Sequence, residues 1–156
     1  MIHFAIRSFC FFSLLAASTA QAQDAATCDA VTNRCTSMVR LVAEENRTFA
    51  TLSLQMEKSG ADPVLFVTAP LGIAARPGVR VVIDPGAFEI PLPLDACFPD
   101  GCRASTELTA LQMSQLSEAR TLSVQFIPFS SSETVAGDLE AASLISPLKQ
   151  AGITLP

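Results

Sequence analysis

The sequence has no tryptophan and no tyrosine, and its single histidine is His3. Charged residues make up only 16% of the chain, with 10 basic against 15 acidic. No stretch of about 18 consecutive apolar residues occurs. Each shortage narrows the field. A core without Trp or Tyr must be built from Phe, Leu, Ile, Val and Ala. The scattered basic residues form no patch, so nucleic acid and anionic membrane surfaces are not expected partners. No C-x-x-C pair exists, which removes the usual redox motif and the tight cysteine pair of most zinc sites.

What is present begins with a leader. Arg7 precedes an apolar run over residues 9–17, and Ala20-Gln21-Ala22 places small residues at −3 and −1 of a cleavage site. The pattern predicts a secretory signal peptide over 1–22, too short to span a bilayer. Cys10 lies inside the apolar run, so it is expected to leave with the leader and not to carry lipid. Removing 22 of 156 residues leaves 134, a single domain over 23–156 with room for one core. Loss of Arg7 leaves 9 basic and 15 acidic residues, a net charge of −6. His3 leaves too, so Ser-His-Asp and Cys-His mechanisms are closed to the exported chain.

Four cysteines then remain: Cys28, Cys35, Cys97 and Cys102. Export favours disulfides. In "CFPDGC" Pro99 suits the first corner of a type I turn and Asp100 the second. Gly101 can take positive φ and close a hairpin with a bulge. That geometry brings Cys97 and Cys102 together, and by elimination Cys28 pairs with Cys35. Four cysteines allow three connectivities, and the spacing alone does not exclude the crossed ones. Rings this short contribute about 2–2.5 kcal/mol each.

Strand patterns dominate the rest. Period-2 or continuous apolar stretches fall at 37–45, 48–57, 63–69, 79–84, 87–92, 94–98, 101–107, 121–129 and 134–141. In 48–57, Phe49, Leu52, Leu54 and Met56 are expected to share a face. "PVLFVTA" (63–69) reads as a strand buried on both faces. Pro91 marks 87–92 as an edge or bent strand. Helices are expected at 109–119, with Thr109 as N-cap, and at 141–148, bent or restarted at Pro147 and ended near Gly152. The fold class expected is all-β: an antiparallel sandwich or flattened barrel with one or two short helices and two local disulfides.

The segments "APLGIAARPGVRVVID" and "CFPDGCRASTELTALQMSQLSEARTLSVQF" resemble the invasion-associated locus B family of exported alphaproteobacterial proteins. The resemblance spans about residues 28–150, through Ala69-Pro70-Leu71-Gly72, the Val82-Ile83-Asp84 strand, the C-x4-C hairpin, Ala104, a Leu-rich helix and a following strand. It implies a compact all-β fold, export, and virulence-associated links to host-cell invasion in some members. This chain lacks the tryptophan that usually precedes the first cysteine. It has Ala141-Ala142 where Gly-Phe is usual, so the last element is expected to pack less tightly.

Candidates for chemistry are few. Lys58 with Ser59, and Lys149 with Ser146, are the available Ser-Lys pairs. Asp84, Glu89, Asp95 and Asp100 lie close in sequence and suit acid–base work or weak Ca²⁺ binding, although strand-end and turn roles explain them more simply. Asn46-Arg47-Thr48 matches a glycosylation sequon but suits a hairpin turn. "TAPLG" (68–72) fits a tight turn or a pocket wall. No catalytic residue, metal or cofactor is expected. The expected function is that of an exported, non-enzymatic envelope protein, periplasmic or secreted, in association with the outer membrane or free of it. It would work through an envelope or host protein without inserting in the membrane. The alternatives are a β-barrel binding a small apolar ligand and, more weakly, an envelope hydrolase.

Overall fold

The computed structural model describes residues 19–22, 25–43 and 47–155; the rest of the expected leader, Cys10 and sequon residue Asn46 lie outside the described residues. Two antiparallel sheets form the domain. The first holds β1 (Thr19–Ala22), β2 (Thr27–Asp29), β3 (Arg34–Val42), β4 (Thr48–Glu57), β5 (Val64–Ala69), β8 (Leu94–Phe98) and β9 (Gly101–Glu107). Its order is β1-β3-β4-β5-β9-β8, with β2 also pairing with β3. The second is β11-β10-β6-β7, from β6 (Val79–Ile83), β7 (Phe88–Leu92), β10 (Thr121–Phe126) and β11 (Val135–Glu140). The sheets stack as a sandwich and do not close into a barrel. Pro91 lies on an edge strand, where its missing N–H costs no ladder bond.

The inner faces follow the period-2 pattern. Leu52, Leu54 and Met56 of β4 join Leu65, Val67, Val81, Ile90, Leu122 and Val124 in one buried cluster. Ala104 belongs to the same cluster, its small side chain lying between Val67 and Leu94 in register. β5 departs from expectation. It alternates, with Leu65 and Val67 buried while Phe66 is 37% exposed on the outer face. An apolar run does not reveal which faces are covered, and here only one is.

Phe49 reaches the core side by an irregularity. Thr48 lies opposite Val42 and Ala50 opposite Leu41, so Phe49 is the extra residue of a β-bulge. Its ring stacks on Phe126 of the second sheet at 4.9 Å between centroids. A Cβ on Gly137 of β11 would lie 2.7 Å from the Phe49 ring and 2.9 Å from Leu41, so only glycine fits beneath it.

Three short helices complete the chain. α1 (Asp84–Ala87) is a single turn in which Pro85 and Gly86 depart from helical angles. α2 (Ala110–Glu118) starts at Thr109 with a full capping box: Thr109 Oγ1 accepts from Gln112 N, and Gln112 Oε1 accepts from Thr109 N at 2.8 Å. α3 (Ala141–Gln150) runs through Pro147 without a break and packs on β3 and β4. Ala141, Leu144, Ile145 and Leu148 are buried, so the helix is well seated despite the alanine pair.

Both disulfides are local. Cys28 joins Cys35 across β2 and β3, and Cys97 joins Cys102 across β8 and β9; in each case the two residues are direct cross-strand partners. The stretch from Thr27 to Cys35 is thus a bridged hairpin. In the second hairpin Phe98 pairs with Gly101, and the register irregularity falls between Leu94 and Ala96, away from the glycine. Gly101 has φ of 143°, and a Cβ there would meet Ala69 O at 2.6 Å, which requires glycine. Replacing Cys97 and Cys102 by serine is expected to cost about 2 kcal/mol and lower Tm by several degrees. Thermal denaturation followed by circular dichroism checks this, and an unchanged Tm contradicts it.

The first hairpin carries a pH-sensitive turn. Asp29 Oδ1 accepts from Val31 N at 2.7 Å and from Thr32 N at 2.9 Å. The Thr32 and Val31 backbone bonds hold the Asp29 carboxyl below its ordinary value. A carboxyl lowered on folding stabilises the turn above its unfolded pKa, and that contribution fades as pH falls through the folded value. Amide exchange at Val31 and Thr32 should therefore accelerate in acid beyond the intrinsic rate. Asp29→Asn should remove that added acid sensitivity, and an identical acid response in the variant rules the turn out.

Candidate functional site

The outer face of the first sheet is built by the residues that alternate with the core. Two cross-strand rows run over it. One is Met38, Ser53, Phe66 and Ser105; the other is Arg40, Thr51, Thr68 and Arg103. Hydroxyl-bearing side chains recur because they suit a half-exposed pleated surface. Ser105 Oγ donates to Asp95 Oδ2 at 2.7 Å. Arg103 lies 3.3 Å from Asp100 Oδ2, and its guanidinium sits 4.6 Å from the centre of the Phe98 ring.

At one end of this face the loops rise into an open concavity of about 630 Å³, lined by Met38, Arg40, Thr51, Thr68, Leu71 and Pro99 among others. Pro70 and Leu71 of "TAPLG" form one wall, so this segment serves both as the turn leaving β5 and as a lining. The "CFPDGC" tip lies beside it, since Ala69 pairs with Cys102. The 127–134 loop joins the rim through Phe129 N, which donates to Gly72 O at 2.7 Å. Three large apolar side chains are exposed at the concavity or next to it in the chain: Leu71 of the wall at 56%, Phe98 before the lining Pro99 at 44%, and Phe129, bonded to Gly72, at 81%. Large apolar side chains left in water on neighbouring segments mark a surface for contact.

The other candidates disperse. Asp84 Oδ1 accepts from the backbone N–H groups of Arg120 and Thr121, fixing the start of β10. Glu89 pairs with Arg80 at 3.4 Å, Asp95 with Ser105 and Asp100 with Arg103. Each carboxylate has its own partner, and the four are split between the two sheets. Ser59 Oγ bonds Glu57 Oε2 at 3.2 Å and accepts from Ala61 N, so it serves the turn and not Lys58. Lys149 is exposed in the last turn of α3. The four described cysteines all sit in disulfides. Among the described residues no group of three or more His, Cys, Asp or Glu is placed to hold a metal. No helix among them is long and apolar enough to cross a membrane.

Sequence reasoning missed three members of the face. The apolar run around Phe66 predicts burial on both faces, while Phe129 closes the strand expected over 121–129 and Phe98 an arm of the stapled hairpin, with no local mark of exposure. The signal that could have found the face is the Thr51-Ser53-Gln55 alternation on β4, which marks an outer surface whose Ser53 lies directly opposite Phe66.

Comparison with known proteins bears on the whole domain. A family model described as invasion associated locus B (IalB) protein matches residues 16–150. The chain is similar to the crystal structure of invasion associated protein B from Bartonella henselae, with a TM-score of 0.67 and 18% identity, covering 84% of this chain and 95% of that one. No curated protein matches.

Proposed function

The chain belongs to the invasion associated locus B family, and on that premise we propose that it is exported and acts in the cell envelope or outside it through protein contacts, without catalysis. The observation that carries this reading is the exposure of Leu71 in the wall of an open concavity on the outer sheet face, with exposed Phe98 and Phe129 on the segments adjoining it, which together are called its rim. A rim of this kind is what a protein partner covers: aromatic anchors beside hydroxyl groups and two arginines. Two disulfides and a leader with Ala20-Gln21-Ala22 at its end support an oxidising, extracytoplasmic location. The residue inventory agrees with a binding role, since the exported chain has no histidine and its cysteines are bridged. The partner's chemistry follows from the rim: an apolar protrusion flanked by acidic or hydrogen-bonding groups for Arg40 and Arg103.

The test is photocrosslinking in living cells from a benzophenone amino acid at position 129. A discrete adduct of fixed higher mass is expected. A protein that yields no adduct while folded and exported overturns the contact reading.

A further inference from the structure

β1 occupies a place that export would empty. Its residues Thr19–Ala22 pair antiparallel with β3, Thr19 opposite Val42, Ala20 opposite Leu41, Gln21 opposite Arg40 and Ala22 opposite Val39. β1 also contacts β11, so it lies where the edges of the two sheets approach. The same four residues end the leader, with cleavage expected after Ala22. The fold thus uses as a strand a segment that processing removes. β2 cannot take its place, because it is held on Thr36, Cys35 and Arg34 by register and by the Cys28–Cys35 bridge.

We propose that removal of the leader opens the Val39–Val42 edge of β3, and that this edge accepts an extended peptide strand from a different protein in the register that β1 shows. The inference rests on the export reading above. An open edge leaves backbone N–H and C=O groups without ladder partners beside an apolar seam, which is the arrangement used in strand addition. The seam is formed by Val39 and Leu41, buried at 0% and 1% with β1 in place. Side chains of an added strand alternate between the face of Val39 and Leu41 and the face of Arg40. The occupant therefore has small or apolar residues at alternate positions and a polar or acidic residue opposite Arg40. A second copy of this chain is a poorer occupant. A face-matched self-pairing centred on Arg40 sets two guanidinium groups opposite each other, and shifting the register shortens the overlap. Arg40 also lines the concavity of the outer face, so a strand added here lies against the contact face already described.

The test uses the full chain expressed with its leader and the processed protein recovered from the envelope. Its N-terminus is sequenced, and amide exchange is measured, with and without a synthetic peptide of residues 17–24, at those amides of Val39–Val42 that point away from β4. The expected result is an N-terminus at Gln23, fast exchange at these amides, and at least tenfold slowing by millimolar peptide. Peptides N-methylated at residues 19 and 21, or at 20 and 22, should differ, with the set that blocks the edge bonds losing the effect. A peptide with glutamate in place of Gln21 should bind more tightly, and Arg40→Glu should reverse that preference. An N-terminus at Gln23 with no slowing overturns the strand slot and leaves the export reading standing. An N-terminus before Thr19 overturns removal of the leader and the slot together. Amides already protected in the processed protein also overturn the proposal, in favour of self-pairing if light scattering shows a dimer and of a self-closed edge if it shows a monomer.

Discussion

Truncating Phe49 to alanine is expected to lower the unfolding free energy by about 3 kcal/mol, near the low end for a packed phenylalanine. The ring is the bulged residue of β4 and bridges the two sheets, stacking on Phe126 and lying over Gly137. The converse change tests the same contact. Gly137→Ala places a methyl group 2.7 Å from that ring and should cost about 1–3 kcal/mol by overpacking. In the double variant only the contact with Leu41 remains, so the combined cost should fall below the sum of the two by about 1 kcal/mol or more. Urea denaturation of the four proteins measures the cycle. Additive costs would show that Phe49 and Gly137 do not touch and that the bulge is wrongly placed.

The second large effect falls on binding. Leu71→Ser combined with Phe129→Ser is expected to cut the yield of the partner adduct, trapped from position 98, at least tenfold. Each truncation removes an anchor whose loss costs about 1–2 kcal/mol or more in interfaces of this kind. Both side chains are more than half exposed, so Tm should move little. A similar adduct yield with unchanged stability would place the partner elsewhere on the molecule.

How far the sequence foretold this structure depends on how local the cause was. The "CFPDGC" hairpin is legible because Pro99, Asp100 and Gly101 set backbone angles within four residues, and the cysteines follow. Thr109 announces α2 for the same reason, and Gln112 completes its cap in the structure. The strands are legible from period 2, but their environment is not. Phe66 has the same apolar neighbours as a buried residue and is exposed only because nothing covers the outer face of β5. Pro147 predicts a broken helix by its missing N–H, yet packing of Leu144, Ile145 and Leu148 keeps α3 continuous. The bulge at Phe49 needs the register of β3, which no local signal specifies. Leu71, Phe98 and Phe129 come from two loops and the end of β8, which only the tertiary fold brings together.

A crosslinking scan over the surface tests most directly whether this domain works through the loop end of its first sheet. The benzophenone amino acid is placed in turn at positions 71, 98 and 129 on the rim and at positions 89 and 138 on the second sheet, each in exported protein in living cells. The account predicts one adduct of common mass from the three rim positions and none from the two on the second sheet. Adducts from positions 89 and 138 with none from the rim would contradict it.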